Sequence, residues 1–222
     1  MILSRVNATA WMFSRILISG LTALICCNAA NAGATELDLC YNYACRERVV
    51  IKLSEAHRSR LRPLFLAVHS AADERVALAH AVGQLYAIAA TQSPIWRDRG
   101  GNAGDDEAED GRMDCIDHAT NTTTFLQWLA AEGWARHHRV EAPVARGWVF
   151  NQHRAASVAA IAPIEANGIA HRYAIDSWFF DPGTPAVIFN LDAWQRGARP
   201  PGTAVWSSGW SGTLSGSNSG ER

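Results

Sequence analysis

The sequence predicts an α+β protein, with a helical N-terminal part packed on an antiparallel sheet. Two helix-like segments carry that reading, one at residues 70–90 and one from Cys115 to about Glu132, and three β-like stretches follow them. Those stretches are Arg146–Phe150, His153–Ile161 and Ile169–Phe179. About half the residues are apolar and nine are tryptophan, so the chain can bury a core.

Residues 1–32 read as a secretory signal. Arg5 and Arg15 give a positive front, Ile16–Cys27 is a short apolar run, and Ala30 and Ala32 fit the −3 and −1 positions of a cleavage site. An apolar run of about a dozen residues is short for a membrane span, so no stable span is expected once the signal is gone. The remaining residues, about 190, suit a single domain, 33–206, with a Gly/Ser-rich disordered tail over 207–222. Arg48–Leu53 is a candidate strand, and the following helix-like stretch should break near Pro63. In residues 70–90, Val76, Ala79, Val82, Leu85, Tyr86 and Ala89 recur at helical spacing, and Asp73 and Glu74 suit the first turn. His80 in that helix reads as a packed or surface histidine. Periodicity then stops, and residues 91–112 read as a flexible acidic loop. Asp114 is a candidate N-cap for the next helix, and Gly133 suits its left-handed C-terminal position. Phe125, Leu126, Leu129 and Ala130 should face the core, while the polar run Ala119–Thr124 should line a cleft.

Charge narrows the function classes. Losing two arginines with the signal leaves 18 Lys+Arg against 21 Asp+Glu, about −3, with no basic stripe. That argues against a nucleic-acid partner, since phosphate binding needs clustered cations. Asp105, Asp106, Glu107, Glu109 and Asp110 offer oxygen ligands for calcium, but they lack the ordered alternation of a calcium loop. A solvated acidic loop is the expectation, with no cofactor.

Three cysteines remain in the mature chain. Cys40 and Cys45 are close enough to pair in the oxidising compartment a signal implies, which leaves Cys115 as an unpaired thiol. It can be a small core residue, a metal ligand or a nucleophile. A zinc site with His118, one helix turn on, lacks a second cysteine at ligand spacing. A helix N-terminus favours the thiolate, and a nucleophilic thiol also needs an imidazole and a group to orient it. His153 opens one candidate strand and Asp176 lies near the end of the next. His171 is a rival base, but in a regular strand it falls on the pleat opposite Asp176. His137 and His138, after a helix end, should meet carbonyls or solvent. Trp148, Trp178 and Trp194 read as core or cleft walls.

The helix-start cysteine, then "HRAASVAAIAPI", then "HRYAIDSWFFDPG", resembles the papain-like and transglutaminase-like superfamily, and in particular the bacterial transglutaminase-like cysteine proteinases. The resemblance covers about Arg112 to Trp194 and implies Cys115 as nucleophile, His153 as general base and Asp176 as orienter. Asp176 stands where papain-type enzymes carry asparagine before Ser-Trp. Ile116 replaces the usual aromatic after the cysteine, and no oxyanion glutamine precedes it; Asp117, His118, Asn121 and Trp178 are the nearby candidates for oxyanion or substrate contact. The resemblance implies a secreted or periplasmic peptidase or amidase working through an acyl-thioester, on a protein or peptide substrate and as a monomer. A non-catalytic binding protein on the same fold is the alternative.

One sequence feature opposes this reading. Asn167–Gly168 is a two-residue hairpin signal, and a tight turn there would set Asp176 opposite Ala159, about 20 Å along the strand from His153. The triad instead needs a loop over roughly 162–168 and a register with Asp176 directly across from His153. Pro163 favours that longer loop.

Overall fold

The computed structural model describes residues 34–102, 106–148, 152–164 and 170–203. The segment expected to be a signal, the C-terminal residues after 203 and the Asn167–Gly168 dipeptide lie outside them. The class is α+β. A two-stranded antiparallel hairpin, β1 (Thr35–Tyr41) and β2 (Glu47–Leu53), precedes the helices. A four-stranded antiparallel sheet runs in the order β3 (His138–Arg146), β4 (His153–Ile164), β5 (Ala170–Asp176), β6 (Val187–Asn190).

Helices α1 (Glu55–Leu61) and α2 (Pro63–Leu66) are separate, because proline at the first position of α2 ends the previous ladder. Helix α3 (Ala71–Ala90) starts at Ser70, whose hydroxyl accepts the Asp73 N–H. Its buried face is Ala77, Leu78, Ala81, Val82, Leu85, Tyr86, Ile88 and Ala89; Val76 lies on the solvent side and His80 is exposed. Gly83 is where α3 meets the 180s segment, since a Cβ there would sit 2.7 Å from the Thr184 carbonyl oxygen. Helix α4 (Cys115–Ala131) is the central element, packed on β4 and β3 on one side and on β1 on another. It ends at Glu132, and Gly133 takes φ 74°. A short helix α5 (Leu191–Gln195) is capped by Asn190 and buries Trp194.

Three strand expectations change. Residues 138–146 form β3, despite Pro143, with a register shift between Glu141 and Val144 absorbing the irregularity. Gly147 and Trp148 fall outside any strand, and Trp148 is 86% exposed instead of walling a core. Ala156 pairs with Ile175, so continuing that register sets Asp176 across from Ala155, two residues from His153. This is neither the tight-turn register nor the directly opposed one. A shift between Ala159 and Ile164 separates the site end of β4–β5 from its loop end. On a strand, two residues along is the same face, so a diagonal pair satisfies the contact.

Residues 91–112 also depart from a flexible acidic loop. Pro94–Arg97 is a 3-10 turn that buries Ile95, and Asp98 is fully buried. Asp110 pairs with Arg97 at 2.9 Å, Asp106 with Arg112 at 3.0 Å, Glu109 with Arg112 at 2.9 Å, and Glu107 with Arg46. These four carboxylates share three arginines, and Glu107, Glu109 and Asp110 remain exposed, while Asp105 is outside the described residues.

Candidate active site

Cys115 is the first residue of α4. Asp114 adopts extended backbone, and its side chain accepts the N–H groups of Ile116 and Asp117, both at 2.9 Å. Asp117 returns the contact by accepting the Asp114 N–H at 3.2 Å, which closes a capping box. The cap thus consumes two amide donors of the first turn. The Cys115 N–H, at the head of the helix, is not one of the two.

The free thiol is half-buried, with Sγ 3.7 Å from the Gln152 carbonyl oxygen and near the Arg154 N–H. It therefore lies against the backbone on both sides of His153. Burial pushes this thiol up to about 11; the carboxylates of Asp114 and Asp176 push the same way, against the Arg154 N–H.

His153 opens β4, and its Nε2 lies 2.6 Å from Asp176 Oδ2. That carboxylate is 1% exposed and lies at the end of β5. The Trp194 indole N–H donates to the same Oδ2 at 2.8 Å, and the Trp178 N–H to Oδ1 at 3.3 Å. Trp178, Phe179 and Trp194 surround the imidazole at centroid distances of 4.8, 5.7 and 5.7 Å. Arg146 stacks over Trp194 at 4.6 Å and bonds the Trp194 and Ala198 carbonyls, pinning α5 to the sheet. Nε2 is thus committed to the carboxylate, and Nδ1 is the ring nitrogen that Asp176 does not engage.

The nearby oxyanion candidates are elsewhere engaged. Asn121 is fully buried; its oxygen accepts the Cys40 N–H at 2.8 Å and its amide donates to the Cys40 carbonyl at 2.7 Å. Asp117, also fully buried, accepts the Cys45 N–H at 2.5 Å, and burial, with Asp114, pushes its carboxyl up to about 6. His118 is buried between Asp98 and Ser177, 3.0 Å from each. It is no zinc partner for Cys115 in this arrangement, since both ring nitrogens are occupied. The run Ala119–Thr124 is largely buried, with Thr122 bonded to Ser177 at 2.9 Å and Thr123 to the Ala119 carbonyl at 2.7 Å, so it braces the helix instead of lining a cleft. Trp178 alone of the four borders the imidazole, and its indole N–H donates to Asn102 at 3.1 Å.

Cys40 and Cys45 form a disulfide. The turn it closes runs through four successive residues with φ near 60°, Asn42 to Cys45, a conformation L-residues adopt at a cost. The turn docks on the start of α4, where Ala44 N–H donates to Asp114 at 3.1 Å and Cys45 N–H to Asp117. His138 is not at a helix end: it is 2% exposed on β3, with Nδ1 2.9 Å from Glu74. Glu74, fully buried, also accepts the Arg136 and His137 N–H groups.

Sequence reasoning missed Asp98 and Asn102 as parts of this site, and it read Trp194 as a core or cleft wall without its bond to Asp176. The first two sit in a segment without periodicity, and Trp194 carries no motif. No helix among the described residues is long and apolar enough to cross a membrane. The chain matches no family model, no curated protein and no solved structure.

Proposed function

We propose that the protein is a cysteine hydrolase of papain-like, transglutaminase-like fold, a peptidase or amidase that acts by acyl-thioester transfer. The observation that carries this reading is the His153–Asp176 hydrogen bond at 2.6 Å beside a half-buried free thiol that lies against the backbone on both sides of His153. The disulfide fits an oxidising compartment, which supports a secreted or periplasmic location, and a protein or peptide is the substrate class.

The chemistry follows from the arrangement. Cys115 gives its proton to His153 Nδ1, and the thiolate attacks the substrate carbonyl carbon. The oxygen that becomes negative is met by the Cys115 N–H at the helix start. His153 Nδ1–H then protonates the departing nitrogen, the C–N bond breaks and a thioester remains. Water, deprotonated by the same imidazole, attacks the thioester and returns the thiol; an amine in place of water would give a crosslink. Asp176 and the Trp194 indole hold the ring and stabilise its charged form through fixed dipoles.

One observation favours the alternative, a binding protein that keeps the fold without catalysis. Burial and two carboxylates push the isolated thiol up, away from the thiolate. Mass-spectrometric labelling with a peptidyl vinyl sulfone at pH 7 separates the two. A hydrolase labels at Cys115, and Cys115→Ala abolishes the label. Reaction no faster than that of free cysteine overturns the enzymatic reading.

A further inference from the structure

Met113, two residues before the nucleophile, has both of its backbone polar groups held by side chains from the preceding loop. Its N–H donates to Asp98 Oδ1 at 2.8 Å, and its carbonyl accepts from Asn102 Nδ2 at 3.0 Å. Each of those side chains reaches on to the residues just after Asp176. Asp98 Oδ2 lies 3.0 Å from His118 Nε2, whose Nδ1 lies 3.0 Å from Ser177 Oγ. Asn102 Oδ1 accepts the Trp178 indole N–H at 3.1 Å. The loop backbone adds a third tie, with Gly101 N–H donating to the Trp178 carbonyl at 2.7 Å.

We propose that Asp98, Asn102 and His118 are positioning residues that set the separation between the nucleophile-bearing helix start and the acid-bearing strand end. The proposal rests on the cysteine-hydrolase reading above. Asp98 and the His118 ring are almost completely withdrawn from water, and a buried ionisable pair contributes little net stability over an apolar replacement. Its geometric product is specific. It joins two chain segments, Met113–Cys115 and Asp176–Trp178, and it adds to the bonds that Ser177 makes with Thr122 of α4 and with the Tyr86 hydroxyl. Ser177 Oγ extends the tie to Thr122 at 2.9 Å, one further turn into the nucleophile's own helix. The loop thus fixes both catalytic segments to one template, and an error of about 1 Å in such a template costs about 100-fold in rate.

The test follows alkylation at Cys115 by peptide mass, which separates it from Cys26 and Cys27, and needs no substrate. Iodoacetamide alkylation rates are measured from pH 5 to 10 for the intact protein and for Ser177→Ala, Ser177→Thr, Asn102→Ala and His153→Ala, each with its thermal midpoint. The expected result is a neutral-pH rate enhancement that depends on His153. It should fall about 10-fold or more in Ser177→Ala and Asn102→Ala, with the pH midpoint moved upward, and return to within about threefold in Ser177→Thr. If Asn102→Ala does not fold, the partly exposed Ser177 pair gives the same reading. Folded Ser177 and Asn102 variants that lose thermal stability but keep the wild-type pH profile overturn the proposal and leave the hydrolase reading intact. A wild-type rate no faster than that of free cysteine and unchanged in His153→Ala overturns both.

Discussion

Removing the imidazole should expose how strongly the site opposes ionisation of its own sulfur. Taken alone, the Cys115 thiol is pushed up to about 11, by burial first and by the Asp114 and Asp176 carboxylates next. At pH 7 such a thiol is ionised in about one part in 10⁴, four pH units below its midpoint. In any ion pair at a contact distance of about 4 Å, an imidazolium would be worth about 4 kcal/mol at an effective dielectric of 20, or about three pH units. The wild-type thiolate should therefore become appreciable near pH 8. In His153→Ala that help is lost while burial and both carboxylates remain. The second-order rate of iodoacetamide alkylation at pH 7 should then fall by about 10³. It should climb about tenfold per pH unit towards pH 11. Equal rates for the two proteins at pH 7, or a variant midpoint near that of an ordinary thiol, about 8.5, would refute the reasoning, because either result means that the imidazole does not act on this sulfur.

Three further outcomes follow from the acids and the disulfide. Glu74→Gln should lower stability by about 3 kcal/mol in urea unfolding at pH 7, since an amide keeps one acceptor oxygen and turns an NH2 donor towards the remaining donors that converge on the buried carboxylate. Burial raises the Glu74 pKa, but the His138, Arg136 and His137 donors outweigh it and the net shift is downward; its contribution is thus present above the unfolded pKa, disappears as pH falls through the folded value, and should be missing from the acid limb of the variant. Asp117 has the opposite sign. Its folded pKa of about 6 exceeds the unfolded value of 3.8, so its contribution is full below pH 4 and is lost as pH rises through 6. Wild type relative to Asp117→Asn should lose up to about 3 kcal/mol between pH 4 and 7, and a flat difference would refute the assignment. Replacing Cys40 and Cys45 together with alanine should cost about 2 kcal/mol in urea unfolding for so short a closed loop.

Much of the helical framework was legible because periodicity and caps are local. Asp114, Gly133 and Pro63 mark their boundaries by chemistry that needs no tertiary partner. The strands were harder. Strand β3 contains Pro143 and two arginines within nine residues, so alternation was masked, and the hydrophobic Gly-Trp-Val-Phe run beyond it attracted the strand assignment instead. The exact register of β4 on β5 could not be read, because a bulge inside β4 decouples the turn from the site. Candidate site residues with a periodic or motif context, Cys115, His153 and Asp176, were visible in the chain. Asp98 and Asn102 were not, since their role comes from contacts with residues between 11 and 76 positions away, inside a segment whose composition suggests solvation. Of the acids at 106–110, Glu107, Glu109 and Asp110 are exposed as their composition suggested, but their arginine partners lie in part beyond local sequence range and were not legible.

The left-handed turn at Asn42–Cys45 has a consequence for shortened versions of the protein. Its amides are the caps of two acids, Asp114 and Asp117, that open the cysteine's own helix. Trimming the N-terminal hairpin would take one donor from each acid, leaving only the helix's own amides to compensate the negative charge beside the sulfur. A fragment starting at α1 would keep every residue of the triad yet hold its thiol in a field still less favourable to ionisation.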